Sequence, residues 1–235
     1  MLATRKPDGI TGQGTVGILN GASAVIATVA FIVFAYVVGS MPWGYWLVRI
    51  FRHEDIRTKG SGNIGATNVW RVYGSRLGLP VLLLDVAKGF VPAIVAVHTV
   101  GYLAAALAGG AAMLGHYRPL FMGFQRGGKM VATAGGAFLG MAPLAALVGL
   151  GVWIILFVVT RYASVASMVA AVSLVAWSLL FGYPWPVTTF AAATAVGVIL
   201  LHKANIRRLL HGEEHRSTLW RRWWRKSPAS GAASL

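Results

Sequence analysis

Two long apolar stretches decide the fold class of this chain. Residues 22–38 read ASAVIATVAFIVFAYVV, and residues 144–160 read LAALVGLGVWIILFVVT. Neither stretch contains a charged side chain, and each is near the length of about 20 residues that a helix needs to cross a bilayer. Both stretches therefore predict transmembrane helices.

The composition of the whole chain supports a polytopic membrane protein. Of its 235 residues, 57% are hydrophobic and 11% are charged, whereas a soluble domain is about 25% charged. The apolar content excludes disorder, and the absence of cysteine excludes a disulfide scaffold. The net charge of +15 would indicate nucleic-acid binding in a soluble domain, but such domains are less apolar, so we predict no nucleic-acid partner.

Hydropathy and helix-breaking residues predict an all-α membrane fold with about seven transmembrane helices, cytoplasmic loops and half-helices. The helices are expected near residues 22–50, 77–99, 101–117, 130–142, 144–160, 162–182 and 185–201. The fourth is too short to cross a bilayer alone, and five spans with one long re-entrant pair is the competing count. We predict an external N-terminal segment, a single membrane domain, and a Trp-rich basic tail with a disordered end, at residues 1–21, 22–216 and 217–235.

The basic residues predict the orientation of the chain in the membrane. Eighteen of the 21 Lys and Arg residues lie in the loops 49–76 and 118–129, at Arg161, and after His202. With seven crossings these positions share one face, and the opposite face carries only Arg5 and Lys6. Because positive charge is enriched in cytoplasmic loops, we predict an external N-terminus and a cytoplasmic C-terminus.

A first polar motif reads GSGNIGATNVWR over residues 60–71. It contains G-x-G-x-x-G, but a dinucleotide site needs a strand before the glycines, and here a membrane helix precedes them. Glycines before a helix also favour anion binding, because free N–H groups and the helix dipole face the ligand. The following helix has an apolar stripe of Ala66, Val69, Trp70 and Tyr73 and a polar stripe of Thr67, Asn68 and Arg71, with Gly74 as its cap. A solvated connecting helix is the alternative.

A second motif joins Gly115-His116 to Gly127-Gly128-Lys129. Gly123 to Lys129 fits G-x-x-x-x-G-K, but Met130 stands where a nucleotide-binding loop needs Ser or Thr, and no strand precedes it. The segment therefore predicts either a phosphate cradle or a flexible loop with one interfacial cation.

A third motif contains His202 and Asn205, which share one helical face. Inside the second predicted span, Asp85 and Lys88 are either functional or simply neutralise each other. The sequence shows no cluster typical of a metal site and no Ser-His-Asp order, so we expect no metal and no cofactor.

Together these motifs resemble the PlsY family of bacterial acyl-phosphate:glycerol-3-phosphate acyltransferases, over about residues 35–216. The resemblance rests on Ser61–Arg71, on Gly115-His116 with Gly127-Gly128-Lys129, and on His202, Asn205, Arg208 and Glu214, with further likeness at 39–45 and 82–89. Met130 replaces a glycine that is usual in the family, and the loop before Gly127 is one residue longer. We expect the Cβ at position 130 to alter that loop.

The resemblance implies transfer of an acyl chain from acyl phosphate to the 1-hydroxyl of sn-glycerol 3-phosphate. The products would be 1-acylglycerol 3-phosphate (lysophosphatidic acid) and phosphate, made for phospholipid synthesis at the bacterial cytoplasmic membrane. The family is thought to use no acyl-enzyme and no protein general base, since the acceptor's own phosphate takes the hydroxyl proton. Both substrates and membrane lipids are the expected partners, with no obligatory protein partner.

The resemblance also implies roles for individual residues. Ser61 and Arg71 would position phosphate, Lys129 would neutralise developing charge, and His202 and Asn205 would orient the acceptor. The remaining expected substrate-binding residues are Gly62, Asn63, Thr67, Asn68, His116, Gly127 and Gly128. A transporter of a small phosphorylated anion is the alternative, although alternating access needs polar groups on both faces and the predicted outer loops carry almost none. A purely structural membrane subunit would leave the clustered polar residues unexplained.

Overall fold

The computed structural model describes residues 21–217, so the predictions for the N-terminal segment and the Trp-rich tail lie outside the described residues. The described chain is helical and contains no strand. Its α-helices are α1 (Gly21–Gly39), α2 (Trp43–Arg52), α3 (Ala66–Tyr73), α4 (Ser75–Thr99), α5 (Tyr102–Tyr117), α6 (Val131–Met141), α7 (Pro143–Thr160), α8 (Ala163–Leu180), α9 (Trp185–Leu201) and α10 (Lys203–Leu210).

Six of the seven predicted helices agree with α4 to α9, but the prediction of one helix near 22–50 is wrong. The structure divides that region into α1 and α2, with a break over residues 40–42. Pro42 explains the break, because proline lacks an amide donor and disfavours a helical conformation in the residue before it. Pro143 also marks a break, because α6 ends at Met141 and α7 begins at Pro143, and proline is common at the first helical position.

Between residues 21 and 217, four helical stretches are long and apolar enough to cross a membrane: Gly21–Arg52, Ser75–Thr99, Pro143–Thr160 and Ala163–Leu180. A fifth span results if α9 and α10, which meet at a bend of 57°, are taken together. The predicted count of seven spans is therefore not confirmed. Helix α6 has 11 residues, and at about 1.5 Å per residue it covers roughly half of a hydrocarbon core about 30 Å thick.

Small residues bring the membrane helices into close contact. A Cβ added at Gly89 of α4 would overlap a carbonyl oxygen of α6, and one added at Gly136 of α6 would overlap a carbonyl oxygen of α4. Gly39 and Gly115 form a similar close approach between α1 and α5. Close backbone packing is a main source of helix association in lipid, where apolar side chains gain little by leaving the bilayer. The α4–α6 contact fixes the start of α6, and therefore the Lys129 backbone, against α4.

Candidate active site

The first polar loop is organised by Asn68, whose side chain lies beneath it. The residue is 2% exposed. Its Oδ1 accepts the Ser61 N–H at 2.9 Å, and its Nδ2 donates to the carbonyl oxygens of Lys59 and Asn63 at 3.0 and 2.9 Å. Asn63 Oδ1 in turn accepts the Gly65 N–H at 2.8 Å. The side-chain hydrogen bonds of Asn68 thus shape the loop from within.

Helix α3 has the two faces that the sequence predicts. Val69 is buried, with Ala66 and Tyr73 packed against the same apolar cluster, while Thr67 is exposed on the polar side. Gly74 ends the helix, and its N–H donates to the Trp70 carbonyl at 2.8 Å. Its φ of +81° lies in the region that glycine adopts without strain, which confirms the predicted cap.

The two glycines before Lys129 serve packing and internal hydrogen bonds. The N–H groups of Gly127 and Gly128 donate to the carbonyl oxygens of Tyr117 and His116, at 2.8 and 3.0 Å. These two amides are therefore already paired within the protein and are not free donors for a phosphate. A Cβ on Gly128 would overlap Nε2 of the His116 ring. Residue 128 must therefore be small because the imidazole lies directly against it.

Met130 occupies a backbone conformation that favours glycine. Its φ is +68°, in the left-handed region, and it precedes the first residue of α6. A side chain with a Cβ is strained there, yet that of Met130 is buried in the apolar core. The glycine that the resemblance led us to expect thus has a physical reason at this position, and here burial of the Met130 side chain offsets the strain.

A hydrogen-bonded chain of side chains links the second and third motifs. Lys129 Nζ donates to Asn205 Oδ1, and Asn205 Nδ2 donates to Glu214 Oε1 at 2.7 Å. The same carboxylate accepts from Ser164 Oγ at 2.8 Å and from Arg208 Nε at 2.7 Å. Residues from three separate segments therefore meet at Glu214.

The charge around these hydrogen-bonded side chains is strongly positive. In the described part of the molecule, Lys129 interacts electrostatically with three arginines, Arg71, Arg126 and Arg208, and with one carboxylate, that of Glu214. Burial, followed by repulsion from Arg208, lowers the pKa of Lys129 to about 8. Four cations near one carboxylate leave an excess of positive charge that an anion can neutralise.

The environment of Glu214 keeps its carboxylate ionised. Burial would raise its pKa, but hydrogen bonds from Asn205, Ser164 and Arg208 outweigh burial, and the pKa is lowered. Arg71 also lies within electrostatic range: partial desolvation lowers its pKa, Glu214 raises it, and Arg208 lowers it. Arg71 of α3 is thereby placed beside the Lys129–Glu214 chain.

His202 is buried at the junction of α9 and α10. Its Nδ1 lies 2.8 Å from the Val198 carbonyl oxygen, so this nitrogen donates and Nε2 is left as the acceptor. The ring interacts electrostatically with Lys129 and Glu214. His202 can therefore accept a hydrogen bond beside a cationic pocket.

Comparison with known proteins assigns the chain to a family. The model of the family described as glycerol-3-phosphate acyltransferase matches residues 29–212. The chain belongs to this family. It is 42% identical over 187 residues to the glycerol-3-phosphate acyltransferase of Aquifex aeolicus, covering 79% of this chain and 96% of that protein. The enzyme of Listeria monocytogenes strain EGD-e is 42% identical over 183 residues, covering 77% of this chain and 91% of its own.

Two solved structures of PlsY, an integral membrane glycerol 3-phosphate acyltransferase, share the fold. The glycerol 3-phosphate form has a TM-score of 0.80 and 38% identity, and the lysophosphatidic acid form has 0.78 and 37%. Each match covers 85% of this chain and 100% of the other. The chain is thus an integral membrane glycerol-3-phosphate acyltransferase with an all-helical fold, and neither a transporter nor a purely structural subunit is supported.

The structure brings together only part of the expected site of this acyltransferase. Arg71, Lys129, His202 and Asn205 lie in one cluster. Ser61 and Thr67 are exposed, and within residues 21–217 neither side chain hydrogen-bonds to that cluster, while Asn68 lies beneath its loop. His116 instead contacts the intramembrane pair Asp85 and Lys88.

The expected site omitted four residues of this cluster, Arg126, Ser164, Arg208 and Glu214, although Arg208 and Glu214 belong to the third motif. Glu214 offered one usable signal, because the chain has 6 acidic residues against 21 basic ones. A carboxylate at the end of a basic segment is therefore expected to pair with the neighbouring cations. No group of three His, Asp or Glu side chains suited to a metal occurs between residues 21 and 217.

Proposed function

We propose that this acyltransferase uses acyl phosphate as its donor and esterifies the 1-hydroxyl of sn-glycerol 3-phosphate at the Lys129–Glu214 cluster. The observation that carries this proposal is the excess of cations, Arg71, Arg126, Lys129 and Arg208, around the Glu214 carboxylate, which accepts three hydrogen bonds. Donor and acceptor both carry phosphate, and guanidinium and ammonium groups bind phosphate well. The similar structures, in glycerol 3-phosphate and lysophosphatidic acid forms, support the acceptor and the product.

The proposed reaction needs no covalent enzyme intermediate. The 1-hydroxyl oxygen attacks the acyl carbonyl carbon, the bond from that carbon to the phosphate oxygen breaks, and inorganic phosphate leaves with the electron pair. The hydroxyl proton passes to the phosphate of the acceptor itself. Arg71 and Ser61 position phosphate, and Lys129 neutralises the charge that develops on the leaving group. His202 and Asn205 orient the acceptor by hydrogen bonds.

The glycines and asparagines of the motifs have supporting parts in this proposal. Asn68, Asn63 and Gly62 build the loop that ends at the start of α3, where the first helical N–H groups can face phosphate beside Thr67. Gly127 and Gly128 allow the close packing that places Lys129. No metal or organic cofactor takes part.

The donor is tested with purified protein in detergent, labelled glycerol 3-phosphate, and palmitoyl phosphate or palmitoyl-CoA. We expect turnover with palmitoyl phosphate and none above background with palmitoyl-CoA. None of the six histidines has an aspartate five positions later, and such a pair is the usual hallmark of CoA-dependent glycerolipid acyltransferases. Robust turnover with palmitoyl-CoA under matched conditions would contradict the proposed donor.

We further propose that the enzyme lies in the bacterial cytoplasmic membrane, with its N-terminus external and its C-terminus and active site cytoplasmic. The cluster joins segments that carry most of the basic residues, which supports a single cytoplasmic side. A reporter fused after Lys226 is expected to read cytoplasmic, and one fused before Arg5 external. If both reporters read the same side, the chain crosses the membrane an even number of times and the orientation is wrong.

The rate should depend on the protonation of Lys129. Its pKa of about 8 is below the usual value for lysine, so the ammonium form predominates below that pH and is lost above it. Because the proposed chemistry needs the cation, kcat/KM is expected to fall as pH rises through about 8. Arg stays protonated in this range, so any activity retained by Lys129→Arg should lack this alkaline limb. The same limb in Lys129→Arg would assign it to another group.

A further inference from the structure

A buried cluster of ionisable groups lies outside the proposed reaction. Asp85 and Lys88 of α4 are each 2% exposed, and His116 at the end of α5 is 4% exposed. Lys88 Nζ lies 2.8 Å from Asp85 Oδ1, 2.6 Å from His116 Nδ1 and 3.2 Å from the Met41 carbonyl oxygen. Met41 belongs to the break between α1 and α2. The ammonium group therefore joins three separate parts of the membrane domain.

These contacts determine the state of the His116 ring. A lysine ammonium has three donors and no acceptor, and here it faces three acceptors. His116 Nδ1 must therefore accept from Lys88, which places the ring proton on Nε2. The Asp85 carboxylate, 2.8 Å from Lys88 Nζ, favours the charged form of the lysine. The ring is thus fixed in one tautomer by two residues of a neighbouring helix.

The far edge of the same ring lies against the loop that carries Lys129. The Gly128 backbone is so close to His116 Nε2 that a Cβ could not fit between them. The Gly128 N–H also donates to the His116 carbonyl at 3.0 Å. His116 therefore contacts the residue next to Lys129 through both its backbone and its ring.

We propose that Asp85, Lys88 and His116 form a positioning unit for Lys129. Lys88 fixes the tautomer and orientation of His116, and the ring supports the Gly127–Gly128 backbone from which Lys129 reaches Asn205. The catalytic consequence rests on the role proposed above for Lys129. If Asp85 and Lys88 served only to neutralise each other, this would explain the contact between them. It would not explain why Lys88 also contacts His116, or why the His116 ring lies against Gly128.

The first test replaces both charges together, as Asp85→Leu/Lys88→Met. Apolar replacement of a complete buried ion pair is often neutral or stabilising, so the variant should fold with an unchanged or higher Tm. We expect kcat to fall about 10- to 100-fold, the effect that loss of an orienting partner has at other sites, with a smaller change in KM. Wild-type kcat in the folded variant would overturn the proposed effect of this unit on catalysis.

A second comparison asks whether the pair acts through His116. In the background of His116→Gln, adding Asp85→Leu/Lys88→Met should lower kcat less than about threefold further, because residues that act as one unit are not additive. If the two losses multiply in full, the pair acts independently of His116 and the proposal is wrong.

Two readouts do not depend on which reaction the enzyme performs. Nitrogen-15 NMR of histidine-labelled protein, with the His116 signal assigned by its loss in His116→Gln, should show the proton on Nε2; a proton on Nδ1 would contradict the proposed contacts.

Acetylation of Lys129, measured by mass spectrometry, should be severalfold faster in Asp85→Leu/Lys88→Met, whereas labelling of exposed Lys203 should not change. If only the kinetic tests fail while the Lys129 labelling rate rises as expected, the error lies in the catalytic role of Lys129. Unchanged labelling of Lys129 would overturn the positioning unit itself, and if the apolar variant does not fold, Lys88→Arg replaces it in both measurements.

Discussion

Lys129→Ala and Arg71→Ala should each lower the rate of acyl transfer by about 30- to 1000-fold, which corresponds to about 2–4 kcal/mol of transition-state stabilisation. Lys129 donates to Asn205, and Arg71 lies within electrostatic range of Glu214 and Arg208. Each side chain is proposed to face a phosphate oxygen. Arg71→Lys keeps the charge but loses the planar, two-pronged geometry of the guanidinium, so it should remain strongly impaired.

The matched control for these variants is Arg207→Ala. Arg207 is exposed on α10, next to Arg208, and no side-chain contact of it is seen in the described residues. We expect it to change turnover little, because its charge serves only membrane orientation. The amount of folded protein must be equalised by gel filtration. Near-normal turnover of Arg71→Ala and Lys129→Ala, with an inactive Arg207→Ala, would place the active site elsewhere.

Glu214→Ala should lower activity by about 100-fold or more, as expected when a catalytic group is displaced by about 1 Å. Its carboxylate accepts from Ser164, Asn205 and Arg208, so its removal leaves these donors unpaired and frees the amide that contacts Lys129. Glu214→Gln keeps a carbonyl oxygen for Asn205 but loses the charge that Arg208 needs. It should therefore be less severe, with a loss of about tenfold.

The neighbouring Glu213 provides the control for the Glu214 variants. Glu213 is exposed, and its N–H donates to the Arg208 carbonyl, a contact that a side-chain substitution leaves intact. Glu213→Ala should therefore retain activity within about twofold, as surface substitutions usually do. Equal losses in Glu213→Ala and Glu214→Ala would indicate a general effect of charge in this segment and not a specific carboxylate.

The helices of this enzyme could be predicted well because their signals are local. Apolar runs of about 17–25 residues, punctuated by Gly101, Pro143 and Pro184, lead to bounds within about two residues for α4 to α9. The break at Pro42 was missed because the surrounding run stays apolar, and mean hydropathy does not register the loss of one amide donor. The number of spans could not be fixed, since a helix as short as α6 can be buried within the protein instead of crossing the bilayer.

The cations and amides of the site were predictable, but their partners were not. Lys129, Arg71 and Asn205 are unusual polar residues at helix ends of an apolar chain, so the sequence draws attention to them. Glu214 became visible as the centre of the cluster only when the structure brought Ser164 to it, 50 residues away in the chain. The pairing of the Gly127 and Gly128 amides likewise depends on the carbonyl groups at the end of α5, which no local pattern reveals.

A crystal structure of this enzyme with glycerol 3-phosphate tests the central claim most directly. The phosphate group should lie within hydrogen-bond distance, about 3 Å, of Arg71 or Lys129, with the glycerol hydroxyls near His202 or Asn205. The wild-type enzyme should be compared with Lys129→Ala soaked at the same concentration. Phosphate bound instead in the groove lined by Arg52 and Arg76, with the Lys129–Glu214 cluster unchanged and empty, would contradict the proposed active site.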